Sequence, residues 1–272
     1  MTISNRIVDL YYECSGAGPD VLLVHGWASS GRMWDRLVRD MRHEVRFWSV
    51  DLPGFGASTL SQDALGIDIN GHMAALFDFC DQQRIRPQAV IGHSMGGMIA
   101  LKMALARPRM LHTLLLVCPC VTGRFAFNTH QLFNSSVARF LMQNSKRLWE
   151  VAQSDFWKQW LPMALYADKA ADERVQHDFQ RMSWQSAVSG LDSMARENLG
   201  PYLERIKHPA LVIVGGSDYT VPPDEGRLAA GCLPNGRLLE FDTAHHQPLD
   251  EEPERFAAAV RAFLQAQGVL TP

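Results

Sequence analysis

The feature that most restricts how this chain can fold is a set of short apolar runs, each separated from the next by a helical stretch or a turn. Residues 21–24 (Val-Leu-Leu-Val) are apolar at every position, as expected of a strand covered on both faces. Residues 45–50, 89–91, 114–117, 210–214 and 237–241 read as further strands. A short strand is also expected at 7–12, turned by Gly16-Ala17-Gly18-Pro19. Between them, 29–41, 69–80 and 95–106 carry apolar residues at helical spacing, and a closing helix over 253–265 sets Phe256, Val260 and Phe263 on one face. Strands alternating with helices predict an α/β fold, a mostly parallel central sheet with helices on both faces.

The rhythm changes after Cys120. From 121 to 196 no strand of the earlier kind occurs, and bulky residues gather, including four of the seven tryptophans (Trp149, Trp157, Trp160 and Trp184). This stretch reads as an inserted helical cap, dividing a core made of residues 1–120 and 197–272. A length of 272 residues, 47% of them hydrophobic, is ample for one large core with such an insertion.

The candidate chemistry sits at Val90-Ile91-Gly92-His93-Ser94-Met95-Gly96-Gly97-Met98. The run fits Gly-x-Ser-x-Gly, with an apolar strand before it and an apolar helix after. In that setting a serine occupies a sharp strand-to-helix turn with its hydroxyl exposed. Ser94 is therefore the candidate nucleophile. A serine needs a base to take its proton, and the base needs a group to hold its tautomer. Asp218 follows a strand and a two-glycine turn, and His246 follows the last strand, giving the order Ser, Asp, His. Functional groups gather beyond the carboxyl ends of parallel strands, and three separate pieces of sequence place these residues there. Asp218 alone also fits a helix cap or turn residue, and spacing does not separate His245 from His246 as the base. The expected oxyanion donors are backbone groups, the N–H of Met95 after the nucleophile and that of Trp27 after the first apolar strand. His25 and His93 read as structural.

Several function classes are disfavoured. The formal charge of −3 gives no broad basic field for nucleic acid or an anionic membrane. No apolar run reaches membrane-spanning length, and the polar start (residues 1–5) lacks the order of a signal peptide, so a cytoplasmic location is expected. The five cysteines are scattered without a zinc pattern and read as free thiols. Cys118-Pro119-Cys120 is the one pair placed by its strand near the site. No metal or organic cofactor is expected.

Taken together, His25-Gly26-Trp27, the run Asp51-Leu52-Pro53-Gly54-Phe55-Gly56-Ala57-Ser58, the serine turn and Gly215-Gly216-Ser217-Asp218 resemble the α/β-hydrolase superfamily over nearly the whole chain. The tail from His246 to Phe256 completes the likeness. In the family it reads Gly-His-x-Pro with Glu-x-Pro close behind, a register that selects His246 and puts His245 where glycine is usual. The surrounding text is similar to small serine carboxylesterases with a helical cap, and in part to the pimeloyl-carrier-protein methyl ester esterases. Those carry tryptophan where this chain has His93. The resemblance implies hydrolysis of a small-molecule ester, and the aromatic and methionine content after Cys120 favours a short to medium apolar acyl or alcohol part. Hydrolysis of a carbon–carbon bond and acyl transfer or thioester cleavage use the same triad, and a non-catalytic binding protein is the remaining class. Trp27, His93, Phe125, Phe133, Phe140, Trp157 and Trp160 are the candidate pocket residues. Arg139, Lys146 and Arg147 are candidate contacts for an acidic acyl-carrier protein, the plainer reading being a solvated face. Monomer and homodimer both remain open.

Overall fold

The computed structural model describes residues 8–60, 67–125 and 172–270. Seven strands form one sheet: β2 (Tyr12–Gly16), β3 (Asp20–Val24), β4 (Arg46–Val50), β6 (Ala89–His93), β7 (Thr113–Val117), β8 (Ala210–Gly215) and β9 (Gly236–Phe241). Their order is β2-β4-β3-β6-β7-β8-β9. Only β2 runs antiparallel to its neighbour, and every other pairing is parallel. The α/β architecture expected from the alternating runs is therefore present. Side chains of successive strand residues point to opposite faces. Leu22, Val24, Val90, Leu114 and Val212 pack into one core, while Val21, Leu23, Ile91, Leu115 and Ile213 pack into another on the far face. This double burial is why the runs show no polar alternation.

The helices α1 (Asp35–Met41), α2 (Ile69–Gln83), α3 (Met95–Ala106), α6 (Pro223–Cys232) and α8 (Pro253–Ala266) accompany the sheet. Between β7 and β8 the described chain holds two inserted helices, α4 (Asp172–Arg181) and α5 (Trp184–Arg196). A short α7 (Pro248–Glu251) follows His246.

Two expectations shift. The strand placed at 7–12 divides: β1 (Val8–Asp9) pairs with β5 (Thr59–Leu60), and the sheet strand starts at Tyr12. The helix expected over 29–41 becomes a 3-10 turn over Gly31–Trp34 followed by α1. Its start is delayed because Ala28 takes φ 57° and the Gly31 N–H donates to Asp51 Oδ1 at 2.6 Å.

Candidate active site

Ser94 lies between β6 and α3 with φ 51° and ψ −112°. A non-glycine residue there costs about 1–3 kcal/mol and persists only where its surroundings fix it. They do so here. The Ser94 N–H donates to Val117 O at 2.8 Å, and the Ser94 carbonyl accepts from Gly97, Met98 and Cys120. The turn also needs close backbone approach, since a Cβ on Gly96 would lie 2.2 Å from Val24 O. Met95 opens α3, so its N–H has no partner within the helix.

Asp218 and His246 meet from the ends of β8 and β9. His246 Nδ1 lies 2.7 Å from Asp218 Oδ2, and both residues are buried. An ionised carboxylate only accepts, so Nδ1 carries the proton and Nε2 is left as the acceptor. The other Asp218 oxygen accepts the N–H groups of Thr220 (2.8 Å) and Val221 (3.0 Å). The two-glycine turn has a reason here: a Cβ on Gly215 would stand 1.8 Å from His245 O. Only glycine lets the histidine segment cross the end of β8 this closely.

His245 is held elsewhere. Its N–H and Nδ1 both engage Glu251, at 2.9 and 2.8 Å to Oε2, and its ring packs edge-on against Tyr219. The two neighbouring imidazoles, which spacing could not tell apart, thus have different carboxylate partners. Glu251 was visible in the sequence only as part of the tail register.

His93 joins the serine turn to the histidine segment. Its Nε2 donates to His246 O at 2.8 Å, and the two rings lie 4.7 Å apart. Burial, with His246 close by, pushes its pKa well below the usual imidazole range. His25 is similarly held down by burial, although Asp51 opposes the shift. Its Nδ1–H donates to Gly26 O (2.7 Å) and its Nε2 accepts from the Leu52 N–H (2.8 Å). His25 thereby ties the Trp27 loop to the 51–58 loop. Trp27 is half-buried, donates from Nε1 to Ala187 O at 2.9 Å and packs edge-on against Phe179. Phe125 packs, partly buried, against the core. Phe133, Phe140, Trp157, Trp160, Arg139, Lys146 and Arg147 lie outside the described residues.

Cys118, at φ 44°, borders the same cluster: its Sγ and ligand atoms of Asp218 and His246 lie within 4.8 Å of one another. That set is a poor metal cradle. The carboxylate and the imidazole are engaged with each other, and burial raises the thiol pKa well above its ordinary value.

Comparison with known proteins follows the same lines. A model of the alpha/beta hydrolase family matches residues 21–259. The chain belongs to the alpha/beta hydrolase family. It is 26% identical over 274 residues to the pimeloyl-[acyl-carrier protein] methyl ester esterase of Nitrosomonas europaea, covering 94% of this chain and 100% of that one. It is 29% identical over 255 residues to the enzyme of the same name from Neisseria meningitidis serogroup A, covering 92% and 77%. Among solved structures, an esterase from Thermogutta terrifontis superposes with a TM-score of 0.78 at 23% identity, covering 97% of this chain and 95% of that one. A hydrolase from Pseudomonas aeruginosa PA01 gives 0.79 at 21%, covering 94% of each. These superpositions establish the hydrolase fold, with its helical insertion after β7. Membership of this family is consistent with carboxylic ester hydrolysis. Among the described residues, no helix is long and apolar enough to cross a membrane.

Proposed function

We propose that the protein hydrolyses small-molecule carboxylic esters through an acyl-enzyme formed on Ser94. The observation that carries this reading is the buried 2.7 Å contact of Asp218 with His246, whose carbonyl is held by His93, the residue before a serine on a strained strand-to-helix turn. His246 Nε2 takes the Ser94 proton as Oγ attacks the acyl carbon. Asp218 holds the tautomer and stabilises the imidazolium that forms. The N–H groups of Met95 and Trp27 receive the oxyanion, each worth about 2.7–4 kcal/mol in the transition state. His246 then protonates the departing alcohol. Water repeats the cycle on the acyl-enzyme and releases the acid.

In this reading residues 121–196 form the cap, and the acyl or alcohol part is short to medium and apolar. Trp27 and Phe125 form part of the wall. The enzyme works without a cofactor, in the cytoplasm. A methyl ester carried on an acidic carrier protein is the second reading, favoured by the relatives at 26–29% identity. The test is a panel of p-nitrophenyl esters from acetate to laurate, with Ser94→Ala as control and a carrier-linked methyl ester beside it. Turnover confined to the wild type, together with fluorophosphonate labelling that Ser94→Ala abolishes, is the expected result. Equal rates for wild type and variant on every ester would end the esterase reading.

A further inference from the structure

Among the polar contacts of the inserted helix α4, those of two residues on one face reach two different parts of the candidate site. Arg174 and Asp178 are four residues apart, so they share a face of α4 one turn apart. Asp178 Oδ2 accepts the Ser30 hydroxyl at 2.7 Å, and both residues are 1–2% exposed. Ser30 ends the loop that begins at Trp27. One turn earlier, Arg174 grips Asp250 through two bonds, at 2.6 and 3.1 Å, and donates to Gln247 Oε1 at 2.9 Å. Gln247 is the residue after His246 and is itself buried.

We propose that α4 is a strap that sets the distance between oxyanion donor and base, with Asp178 and Arg174 as positioning residues. The inference rests on the roles proposed for Trp27 and His246. The sheet fixes the roots of the two loops at the ends of β3 and β9, and His25 and His93 hold them close to those roots. Their outer parts are joined to each other through α4. Such a link matters because an oxyanion donor must stand within about 2.7–3.1 Å of an oxygen that carries full charge only in the transition state. Loosening the strap therefore takes away transition-state stabilisation while leaving ground-state binding in place, and kcat falls without a matching rise in KM.

Two substitutions break the same bond from opposite sides, Asp178→Ala in α4 and Ser30→Ala in the core. Asp178→Asn keeps an acceptor for the Ser30 hydroxyl. At the other end, Arg174→Met removes the grip on Asp250 and Gln247. All are assayed on an ester that the wild type turns over, at a temperature where circular dichroism shows each variant folded. A misplacement of ~1 Å costs up to ~10²-fold, so Asp178→Ala, Ser30→Ala and Arg174→Met are each expected to lower kcat about tenfold or more, with KM within about twofold. Asp178→Asn restores most of the rate, and the Ser30→Ala/Asp178→Ala double variant is no slower than either single one. Ser30→Ala removes one oxygen and decides the matter if Asp178→Ala does not fold. Folded variants that keep the wild-type kcat, or an Asp178→Asn enzyme as slow as Asp178→Ala, overturn the strap and leave the esterase reading untouched. A wild type inactive on every ester removes both.

Discussion

His72 offers a direct measurement of what the core does to an imidazole. It sits in α2, fully buried, with its ring 5.7 Å from that of Phe55. Among the described residues neither of its ring nitrogens has a hydrogen-bond partner. Burial, with a smaller contribution from His25, pushes its pKa down to about 3. In the unfolded chain an imidazole titrates near 6.5. Below that pH the unfolded state binds a proton that the folded state refuses, so stability falls as pH falls, down towards the folded value. From about pH 7.5 to about pH 5.5 the unfolded imidazole goes from roughly one-tenth to nine-tenths protonated, which costs the fold about 1.4 kcal/mol. A folded pKa one unit higher would leave that figure unchanged, because the folded state would still be neutral throughout this window. His25 and His93 act with the same sign, so the wild type loses more than this in total. The perturbation is His72→Leu, a side chain of similar size without polar atoms. Urea unfolding at the two pH values, followed by tryptophan fluorescence and by circular dichroism, gives the free energies, and coincident curves license a two-state treatment. The variant is expected to lose about 1.4 kcal/mol less than the wild type over the interval, and to match or exceed it at the higher pH because no buried nitrogen is left unpaired. Parallel losses in the two proteins would refute the reasoning, since they would mean that His72 is protonated or solvated inside the fold.

Three further outcomes are expected. In Asp218→Asn, the Thr220 and Val221 N–H groups require an oxygen at the Oδ1 position, so the new amide NH2 faces His246 Nδ1 and imposes the wrong tautomer; kcat falls by about 10⁴ in a protein that remains folded. Gly190 lies inside α5, where a Cβ would meet Trp27 Cδ1 at 3.5 Å and Met95 Sδ at 3.6 Å, both ordinary contacts. Gly190→Ala should therefore stabilise by about 1 kcal/mol and raise Tm by about 2–4 °C while short esters are still turned over. Glu225, fully buried in α6, accepts from the N–H groups of Val121 and Thr122, from the Thr122 hydroxyl and from Arg124; Glu225→Ala strips these partners where the chain leaves the sheet and costs about 3 kcal/mol or more in urea unfolding.

The parts of the fold legible in the sequence are those with a period or a steric requirement. Double burial wrote the apolar runs, and close backbone crossings demanded Gly96 and Gly215. The tail register picked out His246, the imidazole that the geometry pairs with Asp218. What stayed hidden is polar and non-local. Ser30 and Asp178 are 148 residues apart, and Arg174 and Asp250 are 76 apart. Each alone reads as an ordinary surface residue. The β1–β5 pair is similarly invisible, because two residues on each side give no alternation to detect.

In the proposed mechanism the buried histidines decide where the serine proton goes. His25, His72, His93 and His246 are each no more than 3% exposed. Burial disfavours the charged form of His25, His72 and His93. Of these four only His246 has a carboxylate hydrogen-bonded to its ring, and in the proposed mechanism that bond stabilises the imidazolium. His93 and His25 remain neutral and act as fixed hydrogen-bonding groups, one holding the His246 carbonyl and the other the loop beside Trp27. In the proposed mechanism a charge on either would repel the imidazolium formed as Ser94 gives up its proton. The same desolvation that makes His72 a liability in acid therefore keeps His25 and His93 uncharged, and in the proposed mechanism leaves the Ser94 proton to His246.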